Sequence, residues 1–265
     1  MKTLYESILA DMEDQLVAGD HEVDKKTIES FIAYNYTLYN GQIWWDKKTD
    51  DGKYIVNSTG YLKTSKKRLT KLTNDLFVWG TVREFSCAGS KYLETLEGAP
   101  TEVIRSFDCS KCTKLKNLIG APKTVGGVFS AVSCTNLISL EGAPTLVKDT
   151  FTIDDCRKLK SLDYFPKRVE GGIYISNTGI TSLNGLPEAV DGNLGVWGTD
   201  ITTLKGCPKV VAGYFDASGC IKLKNIDDLP VVVGGRIDLT DTAIDKEKYS
   251  REDIKQHSQT KTVFW

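Results

Sequence analysis

The sequence predicts a β-rich solenoid, with one parallel sheet of about eight or nine strands, a short extended back face and a helical cap at the N-terminus. Three observations lead there. All seven prolines fall in one register, at 100, 122, 144, 166, 187, 208 and 230, in steps of 22 or 21 residues. Aliphatic residues stand seven and four places before each proline, from Leu93 and Leu96 to Leu223 and Ile226, and a valine stands three places after it, from Val103 to Val233. The hexapeptide LEGAPT occurs identically at Leu96–Thr101 and Leu140–Thr145, two periods apart. A period of roughly 20–50 residues marks a stacked array in which each unit buries its apolar face against its neighbours.

The elements follow in chain order. Residues 1–52 read as a cap. Leu4, Ile8, Met12 and Leu16 share one stripe of a helix over Thr3–Val17, stopped by Gly19. A second helix is expected from Asp24, as its cap, to about Asn35, burying Ile28, Phe31 and Ile32. The run YTLYNGQIWWD predicts a hairpin about Asn40-Gly41, with Trp44 and Trp45 plugging the first coil.

Residues 53–244 form the solenoid. The segment YIVNSTGY (54–61) is similar to IYISNTGI (173–180) and reads as a degenerate first coil, followed by an insertion near Leu62–Arg68. Seven residues after each proline begins a short apolar alternation: FDC at 107, FSA at 129, FTI at 151, IYI at 173, LGV at 194, FDA at 215 and IDL at 237, with Phe85–Cys87 one turn earlier. Period-two alternation marks a strand with one buried face, and parallel strands stack about 4.8 Å apart. Residues 245–265 read as a second cap, with a helix over Lys246–Gln256 and KTVFW as a terminal strand or tail.

The seven cysteines follow the same register. Cys112, Cys134, Cys156 and Cys220 stand ten residues before a proline, where Ser90, Thr178, Thr199 and Thr242 stand in other coils. They read as an internal ladder of small polar groups bonding the turning backbone, while Cys87 and Cys109 take inward strand positions and Cys207 replaces the small residue before proline. No disulfide, metal or cofactor is expected from this pattern, and buried thiols suit a reducing compartment. The net charge of −1, the absence of an apolar run near the ~20 residues that span a bilayer, and the acidic start MKTLYESILADMEDQL predict a cytoplasmic protein without a leader.

The unit from strand to strand, FxxxxCxxLxxLxGAPxxVxGx, as in FDCSKCTKLKNLIGAPKTVGG, resembles the leucine-rich repeat in variants that carry cysteine or threonine in place of asparagine. The resemblance covers about Lys53 to Ile244. The wording SLEGAP…V.GG.F and the opening MKTLYESIL are similar to hypothetical leucine-rich-repeat proteins of tailed bacteriophages and gut bacteria. The resemblance implies a weakly curved solenoid that binds another macromolecule through its sheet. If the chain is phage-encoded, the partner could be a host defence protein in the bacterial cytoplasm. A virion-associated structural protein and a carbohydrate-binding adhesin are the alternatives.

Outward strand positions define the expected contact face. Its first half is small and bland. Its second half gathers Tyr174, Trp197 and Tyr214 with Asp154, Asp155, Asp216 and Asp238, and Lys111 and Arg236 are its only bases. Exposed tyrosine and tryptophan beside charged groups suit a protein contact, and an acidic face favours a partner with a basic surface over nucleic acid. Lys114, Lys116, Arg157, Lys158, Lys160, Lys222 and Lys224 form a basic rim, and Lys63, Lys66, Lys67, Arg68 and Lys71 a second basic run that either faces the acidic N-terminal segment, is solvated, or, against the lack of interleaved aromatics, meets nucleic acid. Catalysis finds little support: the two histidines, His21 and His257, lie outside the repeats, no nucleophile elbow or phosphate-binding motif occurs, and the Asp154–Asp155 pair, which could serve acid–base chemistry or hold a divalent cation, has no deep pocket around it.

Overall fold

The computed structural model describes residues 25–64, 69–72 and 76–265. The chain is a parallel β-solenoid of about nine turns. Its inner seam runs in register through Leu62, Phe85, Phe107, Phe129, Phe151, Ile173, Leu194, Phe215, Ile237 and Val263. Alternation places the residue two further on inside as well, from Cys87 and Cys109 to Ala217 and Leu239, all fully buried. Four phenylalanines stack along the seam, with ring centroids 5.6, 5.6 and 5.3 Å apart from Phe85 to Phe151.

The extended back face is a ladder in its own right. Val103, Val125, Val147 and Val169 pair in parallel, as do Val190, Val211 and Val233. No strand pairing joins Val169 to Val190, where the repeat shortens from 22 to 21 residues. Between the ladders each coil turns through left-handed residues at two fixed corners. The first holds Gly89, Lys111, Ser133, Asp155, Asn177, Gly198, Gly219 and Asp241; the second holds Gly98, Gly120, Gly142, Tyr164, Gly185, Gly206 and Asp228.

At the N-terminal end, α1 (Lys25–Asn35) buries Ile28 and Ile32 and sets Phe31 edge-on to Phe77 at 6.0 Å. The expected helix over Thr3–Val17, its Gly19 stop and the Asp24 cap lie outside the described residues, as do Lys66, Lys67 and Arg68. The expected hairpin about Asn40-Gly41 does not form. Instead β1 (Tyr36–Tyr39) and β2 (Ile43–Lys48) both run antiparallel to β3 (Tyr54–Thr64), one against each half of it. The eleven-residue edge of β3 offers bonds to both strands, and a tight turn would forfeit half of them. Asn40 takes φ 51°, and Gly41 is pressed so close to Gly60 that a Cβ would lie 2.2 Å from its backbone.

Two further expectations change. Successive strand residues face opposite sides, so Trp44 and Trp45 cannot both enter the core: Trp44 is exposed and Trp45 leans on Tyr54 at 5.5 Å. The plug is Trp79 of β4 (Phe77–Ser86), held edge-on by Phe77 at 4.9 Å and Tyr36 at 5.4 Å. The first coil is also shifted from the register that its likeness to 173–180 suggests. Leu62, not Tyr54, lies beside Phe85, because β3 is one long strand that crosses both ladders.

At the other end Asp245 takes the backbone N–H of Glu247 and Lys248, so the helix begins later than expected, as α2 (Arg251–His257). Ser250 and Asp253 close a capping box over its start, and Ile254 is buried. KTVF of the KTVFW end belongs to a terminal strand, Gln259–Phe264, parallel to Val232–Asp238.

Candidate protein-binding face

Each strand puts its inner residue between two that point outward. One outer row, just before the seam, contains Asn193, Tyr214 and Arg236. The next, just after it, contains Asp108, Ser130, Thr152, Tyr174, Gly195, Asp216, Asp238 and Phe264. A third contains Asp154, Ser176, Trp197, Ser218 and Thr240. Neighbours within a row stand about 4.8 Å apart.

Tyr174 lies across the coils on a seat that only glycine leaves open: a Cβ at Gly195 or Gly172 would come within 3.0 Å of its ring. Its hydroxyl accepts a bond from Asn193 Nδ2 at 2.9 Å and one from the Tyr214 hydroxyl at 3.4 Å. Asn193 Oδ1 accepts the Tyr214 backbone N–H at 3.0 Å. Partial burial, with the bond to Tyr174, pushes the Tyr214 phenol up to about 12, so it stays a donor at neutral pH. The Arg236 guanidinium lies over the Tyr214 ring with Cζ 5.1 Å from its centroid, and over Phe264 at 5.6 Å. Trp197 rises alone between Ser176 and Ser218 of the adjacent coils, 44% exposed.

The aspartates are tied into the fold. Asp216 accepts the Ser218 N–H and hydroxyl at 3.0 and 2.6 Å, and Asp238 accepts those of Thr240 at 3.1 and 2.7 Å. Asp155 occupies a left-handed corner and accepts Asn177 Nδ2 at 3.0 Å. Asp154 accepts the Ser176 N–H at 2.6 Å, and burial raises its carboxyl above the usual range. The structure therefore brings Tyr174 and Tyr214 together and leaves Trp197 apart. Asp154, Asp155, Asp216 and Asp238 line the face while serving its turns. Asn193 and Phe264 belong to the cluster but are not among the residues that sequence reasoning chose. Asn193 precedes Leu194 as Tyr214 precedes Phe215, so its row was readable; Phe264 needed the register of the terminal strand.

The remaining candidates are less organised. On the basic rim, Lys222 at 2.9 Å and Lys160 at 3.7 Å hold the Asp200 carboxyl below its ordinary range, and Lys158 donates to Asn136 Oδ1. All seven cysteines are free, six of them buried, and burial pushes the thiols of Cys156, Cys207 and Cys220 up. Among the described residues no group of three or more His, Cys, Asp or Glu is placed to hold a metal, and no helix is long and apolar enough to cross a membrane. Comparison with protein families, curated proteins and solved structures found no match to this chain. The fold alone defines its class, a parallel β-solenoid with a cysteine and threonine ladder.

Proposed function

We propose that the chain is a non-catalytic binding module of leucine-rich-repeat type, which takes a protein partner with a basic surface on the half of its sheet that carries Tyr174, Trp197 and Tyr214. One observation carries this reading. Tyr174 and Tyr214 are fixed by Asn193 and by the glycine seat, while Trp197 stands exposed on the same face, apart from them. Anchors held rigid in the free protein lose little conformational freedom on binding, and exposed Trp and Tyr are the side chains that dominate protein contacts. The carboxylates of Asp154, Asp155, Asp216 and Asp238 set the sign of the partner. In the phage setting that the repeat wording suggests, the partner is a host protein in the bacterial cytoplasm.

The test is an affinity capture from bacterial lysate with the wild type and with a Tyr174→Ala, Trp197→Ala, Tyr214→Ala variant whose fold is checked by circular dichroism. The expected result is one protein retained by the wild type, released by salt and lost by the folded variant. Equal capture by both proteins would remove the site from this face.

A further inference from the structure

Arg236 is the exception on an acidic face. Its guanidinium lies over two rings, with Cζ 5.1 Å from the Tyr214 centroid and 5.6 Å from that of Phe264. Two carboxylates lie in the adjoining row, Asp238 on the same strand and Asp216 on the neighbouring coil, yet neither pairs with it. Asp216 is engaged by Ser218 and Asp238 by Thr240. Among the described residues the ion-paired arginines are Arg105 and Arg168, and Arg236 has no such partner. A guanidinium held against aromatic rings keeps its N–H donors at the rim of its plane, the arrangement that takes both oxygens of a carboxylate side by side.

We propose that Arg236 is a carboxylate-binding site on this face, which receives one Asp or Glu side chain of the protein partner, with Tyr214 and Phe264 as its positioning walls. The identity of that carboxylate as a partner's side chain rests on the binding reading above. A carboxylate is chosen over a phosphate because the occupant is a protein segment, whose unmodified anionic side chains are those of Asp and Glu. Trp197 lies two coils earlier and four strand positions across, roughly 16 Å away. The partner segment therefore carries one acidic residue about that far from the group that meets Trp197, with basic groups over the aspartates between them.

The test uses the full chain and sodium acetate, so it needs no partner. The Arg236 Nε–H resonance, assigned by its loss in Arg236→Lys, is followed by NMR as acetate is added, with chloride at matched ionic strength as the control and inorganic phosphate as a second ligand. The expected result is a saturable shift with acetate, absent with chloride, that needs severalfold more acetate in Phe264→Ala, where the arginine remains but one wall is gone. Absence of saturation, or tighter saturation by phosphate than by acetate, overturns the proposal. Failure of the binding reading would show instead in the lysate capture and would leave this titration unchanged.

Discussion

At the scale of single residues, the two left-handed corners set the sharpest demands on the sequence. Gly120 has φ 90°, and a Cβ there would sit 2.1 Å from the backbone nitrogen of Glu97 in the preceding coil. Gly120→Ala therefore meets both a strained backbone and a clash, and should lower stability by more than about 2 kcal/mol in urea unfolding. Tyr164 holds the same corner at φ 66° with its side chain 65% exposed, so little contact is lost on truncation. Tyr164→Gly should raise stability by about 0.5–1 kcal/mol. Asp154 gives a pH signature. Its folded-state pKa is raised by burial, so its contribution to stability is complete below the unfolded carboxyl pKa and is lost as pH rises through the folded value. Asp154→Asn keeps an acceptor for Ser176 and removes that loss. The variant should be the more stable protein at neutral pH, and its advantage should vanish in acid; an unchanged difference across the titration would contradict this.

At the scale of the element, the polar ladder was legible as a repeating position but not as two mechanisms. The thiols of Cys112, Cys134, Cys156 and Cys220 reach back to carbonyls of the preceding coil, at Cys87, Cys109, Ala131 and Val196, over 3.2–3.3 Å. Thr178, Thr199 and Thr242 instead bond the carbonyl three residues earlier in their own coil, each at 2.8 Å. A thiol has the longer reach, and sequence register alone does not reveal its direction. Thr178→Val keeps the shape but strips the Ile175 carbonyl of this donor, with an expected loss of about 1–3 kcal/mol by chemical denaturation. In the phenylalanine stack, Phe129→Ala should cost about 3–5 kcal/mol, since rings press on it from both sides. The inner seam was readable because burial forces alternation. The path of β1 and β2 was not, because Asn-Gly is a local turn signal and the long edge of β3 is a distant competitor for the same backbone groups.

At the scale of the whole molecule, period and alternation gave the architecture because each coil must satisfy only its two neighbours. The candidate face was legible in part for the same reason. Tyr174, Trp197 and Tyr214 can be placed outward by counting, whereas the glycine seat and the Asn193 bridge depend on contacts between coils that no single repeat contains. The single-file stacking also decides how the chain answers a load. Pulled by its two ends, a body whose coils touch only the next in line gives way by peeling at its tips, one of which is the last strand on Val232–Asp238. Each released coil of 22 residues adds about 70 Å of slack. In an optical trap the trace should climb as a staircase of nearly equal treads, and a single rip to full length would mean that the coils act as one block. Such a molecule would behave as a spring that lengthens in counted steps, surrendering Arg236 and Tyr214 early and Phe107 late if the C-terminal tip opens first.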